Sequence, residues 1–279
     1  MKNIQTITST ANPLIRLTAA VAHTQRRAAK EGLFIVEGLR LAEMAAASGW
    51  HVRHAFLTES AAAGGRMQAL MEQLAGQGTP LAFLPAALFS SLSETDSPQG
   101  VLLLMERRER IPLAALSTYR TSAEPPLYIA LDRVQDPGNV GTILRTADAV
   151  GAAGVILLRG SADIYSGKVV RATMGSLFHV PFAEGVAPAD LMAFAHAEGF
   201  CLYAAACDDA ACTHFDADLR GPLLVVFGNE ANGVSKEILD GAAHLYIPMR
   251  GHAESLNVSA AAAAVLYEAM RQRFFGKKT

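Results

Sequence analysis

The stretch Leu127-Tyr-Ile-Ala-Leu-Asp-Arg-Val-Gln-Asp-Pro-Gly-Asn-Val-Gly-Thr-Ile-Leu-Arg-Thr-Ala-Asp-Ala-Val-Gly-Ala-Ala-Gly-Val-Ile-Leu-Leu158 reads as strand, helix, strand. Its outer runs, Leu127 to Leu131 and Val155 to Leu158, are continuously apolar, the pattern of parallel strands covered on both faces. Between them Val140, Ile143, Leu144, Ala147 and Val150 form one face of a helix at about 100° per residue, and Gly151 ends it. Arg145 lies nearly opposite that face, pointing to solvent, a partner subunit or a ligand. Asn139 is in position to cap the helix, and Gly138 and Gly141 allow close backbone approach.

The same alternation extends in both directions. Downstream, strands are expected at Cys201 to Ala206, Leu223 to Phe227 and His244 to Ile247, with a last alanine-rich helix from Asn257 to about Phe274. Upstream, Leu33 to Val36, Val52 to Leu57 and Val101 to Met105 read as strands, with helices over Leu39 to Ser48 and Ala61 to Leu74. The charged run Glu106-Arg-Arg-Glu-Arg110 and the polar, proline-ended Ser117–Pro126 separate the two parts. The expected division is an α/β domain over 1–106, a linker over 107–126, and a parallel-sheet α/β domain over 127–279.

Composition sets wide bounds. Hydrophobic residues make up 51% of 279, enough for a sizeable core. No apolar run reaches the roughly 18 residues of a membrane helix, and the first residues lack the apolar segment of a signal peptide. The cysteines, Cys201, Cys207 and Cys212, lack close-pair metal spacing and fit free thiols in a reducing cytoplasm. Residues 1–54 carry seven Lys/Arg against three Asp/Glu, whereas 127–279 carry twelve against sixteen. A basic first part fits a polyanion engaged mainly there, although an excess of this size is also ordinary surface variation.

Ligands of parallel sheets sit beyond the carboxyl ends of the strands, and three polar, glycine-bearing turns are expected there. They are Asp132–Gly141, Phe227-Gly-Asn-Glu-Ala-Asn-Gly233, and Ile247-Pro-Met-Arg-Gly-His-Ala-Glu-Ser-Leu-Asn-Val-Ser259. A dinucleotide site is a poor fit, because no G-x-G-x-x-G occurs and the strand after the first helix ends at Arg159 rather than an acid.

Asn139-x-Gly-x-x-x-Arg145, Gly228-Asn-Glu230-x-x-Gly233, and Ile247-Pro-Met249 with Ser255-Leu-Asn-Val-Ser259 resemble, in order, the three motifs of the SpoU (TrmH-type) RNA ribose 2′-O-methyltransferases of the SPOUT class. Lys168–Gly175 resembles a basic helix of that family. Asn12-Pro-Leu-Ile-Arg16, Arg26-Arg27, Phe34-Ile-Val-Glu-Gly-Leu-Arg40 and Ser97-Pro-Gln-Gly100 resemble its amino-terminal RNA-binding domain.

The resemblance implies a deep trefoil knot in the second domain, a homodimer, and methyl transfer from S-adenosylmethionine to a ribose hydroxyl without a metal. It implies catalytic roles for Asn139, Arg145, Glu230, Ser255 and Asn257. Phe227, Gly228, Asn229, Glu230, Gly233, Ile247, Met249, Ser255 and Leu256 would bind the methyl donor. Arg16, Arg26, Arg27, Arg40, Arg145 and Arg171 would contact RNA, ribosomal rather than transfer RNA by analogy. The alternative class is a non-catalytic RNA-binding protein of the same fold.

Overall fold

The computed structural model describes residues 4–119, 124–206 and 211–275. They form two compact units, Met1–Glu109 with Ile164–Phe178, and Arg110–Asp163 with His179–Thr279. The chain first changes unit at Glu109/Arg110, inside the segment read as a linker, of which residues 120–123 lie outside the described set. Ile164–Phe178, read from sequence as part of the second domain, packs with the first unit instead. Its aromatic side chains explain this: Tyr165 stands 5.1 Å from Phe34, and Phe178 meets Trp50 edge-on at 5.2 Å.

The first unit holds β1 (Gln5–Thr6), β2 (Leu33–Glu37), β3 (Val52–Leu57), β4 (Leu81–Phe83) and β5 (Val101–Glu106) in the order β1-β4-β3-β5-β2. β5 runs antiparallel to both β2 and β3, while β4 is parallel to β1 and β3. Glu37, at the end of β2, is buried yet fully engaged. It accepts hydrogen bonds from the hydroxyls of Ser93 and Thr95 and from the Glu94 N–H. The same loop brings Gln99 Oε1 to the free N–H of Leu39, 2.9 Å away, at the start of the helix Leu39–Ala47. The Phe34–Arg40 and Ser97–Gly100 stretches are therefore spatial neighbours.

The second unit is a seven-stranded sheet, parallel throughout. Its strands are β6 (Leu127–Asp132), β7 (Gly154–Leu158), β8 (Phe182–Val186), β9 (Cys201–Ala205), β10 (Cys212–Thr213), β11 (Leu223–Gly228) and β12 (Ala243–Tyr246), ordered β10-β12-β9-β11-β6-β7-β8. β6, β7 and β11 are buried along their whole length, as their unbroken apolar sequences require. β11 pairs with β6 residue for residue, Leu223 opposite Leu127 through Gly228 opposite Asp132, so two of the expected turns begin side by side. After β12 and the third turn, the helix Val258–Met270 packs against the helix Pro137–Ala149.

Val140, Ile143, Leu144, Ala147 and Val150 are all buried, as their periodicity predicts, and Arg145 is exposed. The cap of this helix differs from the expectation. Asp136, not Asn139, is the N-cap: its carboxylate accepts the Asn139 N–H at 2.9 Å, and Pro137 takes the first helical position. That starts the helix earlier than Val140 and frees the Asn139 side chain for other partners. Among the described residues no helix is long and apolar enough to cross a membrane. Cys201 and Cys212 are free, and Cys207 lies outside the described residues.

Candidate active site at the strand ends

The second turn is the tightest of the three. Asn229 and Gly233 exchange backbone hydrogen bonds at 3.0 and 2.8 Å. A Cβ on Gly228 would lie 2.1 Å from the Gly233 carbonyl carbon, and Gly233 has φ +65°, so both positions demand glycine. Asn229 organises the interior: its Oδ1 accepts from the N–H groups of Ala231 and Asn232, each at 3.0 Å. Its Nδ2 donates 2.9 Å to the carbonyl of Arg133, tying this turn to the first. Asp132 adds a second tie, accepting the Ser235 N–H at 2.6 Å.

Glu230 is held out from this turn towards the start of Pro137–Ala149. Asn139 Nδ2 donates to Glu230 Oε1 at 3.0 Å, and the N–H groups of Asp136 and Gln135 approach the carboxylate at 3.3 and 3.4 Å. The third turn joins through Asn257, whose Nδ2 donates 3.0 Å to Asn139 Oδ1. Asn257 also caps its own helix, accepting the Ser259 N–H at 2.9 Å. One chain of hydrogen bonds, Asn257 to Asn139 to Glu230, thus joins all three turns. Burial tends to raise the Glu230 pKa, but the bonds from Asn139 and the backbone N–H groups outweigh it and hold the carboxyl below its ordinary range. At neutral pH this group is an anchored carboxylate and a poor proton acceptor.

Behind this chain opens a cavity of about 540 Å³. All nine residues expected to bind a methyl donor line it: Phe227, Gly228, Asn229, Glu230 and Gly233 from the second turn, and Ile247, Met249, Ser255 and Leu256 from the third. Asn257 lines it too, whereas Asn139 stands behind Glu230 and Arg145 is not on its wall. Sequence reasoning missed Ala205, Ala206 and Tyr246, which also line the cavity. The strand order supplies the reason: β9 lies between β11 and β12, so its carboxyl end must border any site shared by the other two.

Of the six arginines expected at RNA, five belong to the first unit and Arg145 to the second. Arg16, Arg26, Arg27 and Arg40 are exposed on the helices Pro13–His23, Gln25–Glu31 and Leu39–Ala47, with Arg27 paired to Glu31 at 2.8 Å. Arg171 belongs to the first unit by packing, and is half-buried in a 2.8 Å ion pair with Glu94. Arg145 is exposed on the second unit and forms no hydrogen bond or ion pair among the described residues. No group of His, Cys, Asp or Glu suited to a metal occurs among the described residues.

Residues 12–103 match the MRM3-like substrate binding domain, and residues 126–267 match the SpoU rRNA Methylase family. The chain is 32% identical to the 23S rRNA (guanosine(2553)-2'-O)-methyltransferase RlmP of Bacillus subtilis, over 88% of this chain and 91% of that protein. It is 32% identical to the 23S rRNA (uridine(2479)-2'-O)-methyltransferase of Streptomyces viridochromogenes, over 92% of this chain and 89% of the relative. Among solved structures, the AdoMet-bound rRNA methyltransferase of Sinorhizobium meliloti superposes with TM-score 0.85 at 31% identity, covering 96% of this chain and 98% of the other. AviRb of Streptomyces viridochromogenes with AdoMet gives 0.83 at 30% identity, covering 95% and 100%. With its three strand-end turns joined as described and residues 126–267 matched by that family, the chain belongs to the SpoU rRNA methylase family.

Proposed function

We propose that the protein transfers a methyl group from S-adenosylmethionine to a ribose 2′-hydroxyl of ribosomal RNA. The observation that carries this reading is the Asn257–Asn139–Glu230 chain at the rim of the large cavity. The cavity fits the donor. Its volume is in the range of about 300–1,000 Å³ usual for small-ligand sites. Phe227, Leu245, Ile247 and Val265 supply apolar walls, and the two turns supply polar backbone. When bound, the sulfonium provides an electrophilic methyl group, so neither a metal nor a covalent enzyme intermediate is required.

The residues divide the remaining work. Glu230 and Asn139 fix each other, and Asn257 fixes Asn139, so the acceptor ribose meets pre-aimed polar groups instead of mobile ones. Ser255, on the cavity wall, contributes a hydroxyl near the same rim. Arg145 is permanently protonated and unsuited to removing a proton, so the proton that the ribose hydroxyl loses on methylation passes to water. Its free fork suits a phosphate beside the acceptor and the negative charge that develops on the ribose oxygen. The exposed Arg16, Arg26, Arg27 and Arg40, with Arg171, bind the RNA elsewhere. A homodimer that completes the site around Arg145, a carboxy-terminal trefoil knot and a cytoplasmic location belong to the same proposal.

Calorimetric titration with S-adenosylmethionine and its demethylated product tests the donor site, and binding of both is expected. Mapping 2′-O-methyl groups in total RNA from cells with and without the protein tests the acceptor. Loss of one ribosomal position is expected. Donor binding with no RNA position lost would favour the non-catalytic reading.

A further inference from the structure

Beside the large cavity lies a smaller polar recess of about 290 Å³, lined by Arg133, Gln135, Asn229, Glu230, Ala231 and Asn232. Asn229, Glu230 and Asn232 line both, so the two spaces share a wall. We propose that this recess holds the RNA backbone next to the acceptor ribose and that Arg133 grips a phosphate within it. This rests on the methyl-transfer reading above.

The two spaces differ in chemistry. No apolar side chain larger than Ala231 faces the recess, so it suits a charged, hydrated group and not a ring or an alkyl chain. Arg133 is its one cationic lining residue. The backbone of Arg133 has φ +57°, a conformation uncommon for a long side chain. Three contacts hold it. Its carbonyl accepts from Asn229 Nδ2 at 2.9 Å, and its stem lies over Gly160, where an added Cβ would come within 3.1 Å of Arg133 Cγ. Its Nε donates 3.1 Å to Oδ1 of Asp132, a carboxylate that is almost wholly buried.

Asp132 therefore aims the guanidinium while engaging one of its five donors. The remaining donors form the planar fork that chelates phosphate oxygens. Glu230, on the shared wall, repels an anion placed against it. The phosphate is thereby directed to the Arg133 side and the ribose hydroxyl to the Glu230 side, facing the donor cavity. Arg133 is a positioning and binding residue here, distinct from the hydrogen-bonded chain behind it.

Arg133→Gly and Arg133→Asn remove the fork while accepting a positive φ, so the turn keeps its shape. Both variants and the wild type are assayed for methyl transfer to ribosomal RNA from cells lacking the protein, over a range of salt, with donor affinity measured by calorimetry. KM for RNA is expected to rise roughly tenfold in both variants, the loss falling more on KM than on kcat. The slope of log affinity against log salt should fall by about 0.7–0.9, one phosphate contact, with donor affinity unchanged. Wild-type KM and salt slope in both variants, or donor affinity falling in step with RNA affinity, would overturn the inference. A wild type that binds donor but methylates no ribosomal RNA would overturn the reading beneath it.

Discussion

The strand-end site and the arginine-bearing helices of the first unit hold their polar groups in opposite ways. At the strand ends Asn139, Asn229, Glu230 and Asn257 are each bonded to at least one other turn or helix start. On the first unit Arg16, Arg26 and Arg40 are exposed, and Arg27 leans on a neighbour within its own helix. The difference teaches where precision is required. With the proposed roles, a methyl donor is always the same molecule and rewards a fixed site, while a folded RNA is large and is met by long side chains that adapt. Arg145 shares the exposure of the second kind while sitting on a helix of the first.

Four changes would break or sharpen that contrast. The largest effect is expected for Gly228→Ala, because the added methyl has backbone, not a movable side chain, in its way. Donor binding by calorimetry should fall below detection, with a stability loss of about 1–3 kcal/mol in thermal unfolding. Next is Asn139→Ala, which takes from Glu230 its side-chain donor and from Asn257 Nδ2 its acceptor. A fall in kcat of about 10²–10³ is expected in a single-turnover assay, with donor affinity changed far less. Arg145→Lys keeps the charge and loses the fork, so kcat should drop by roughly tenfold or more; near-wild-type turnover would argue against a fork-shaped role.

The smallest effect concerns acid. The Glu230 pKa is lowered on folding, so its stabilisation is fully present above the ordinary carboxyl value and is lost as pH falls through the folded value. Glu230→Gln should be less stable than wild type at neutral pH, with the gap closing in strong acid. A gap that persisted unchanged through the acid limb would show that the carboxylate is not held as described.

Much of this was readable in the sequence where local pattern and long-range structure agree. The βαβ unit of Leu127–Leu158 is one such place, with five apolar positions at helical spacing and two unbroken strands. The residues expected to bind the donor come from two short motifs, and they line one cavity because β9 pairs with both β11 and β12 and so brings the ends of those strands to one edge of the sheet. What the sequence hid depends on distant partners. β4 and β10 are three and two residues long, too short to show a period, and they exist only because β3 and β12 offer free edges. β8 contains Gly185 at φ +70°, beside a register shift against β7. Asn139 looked like a cap because asparagine often is one; Asp136-Pro137 makes the better start and releases it. Arg133 carried no visible signal, since its orientation is set by Asp132, Asn229 and Gly160 together.

The packing of Ile164–Phe178 with the first unit has a consequence for how the protein can be divided. The chain passes between units at three points, after Glu109, Asp163 and Phe178, so no single cut yields two whole pieces. A fragment ending at residue 109 would strip Phe34 and Trp50 of the rings of Tyr165 and Phe178 that cover them. Excision or domain exchange therefore needs a graft of two segments, not one. Trp50, the sole tryptophan, stands at that seam, so its emission reports in solution whether the second segment is seated.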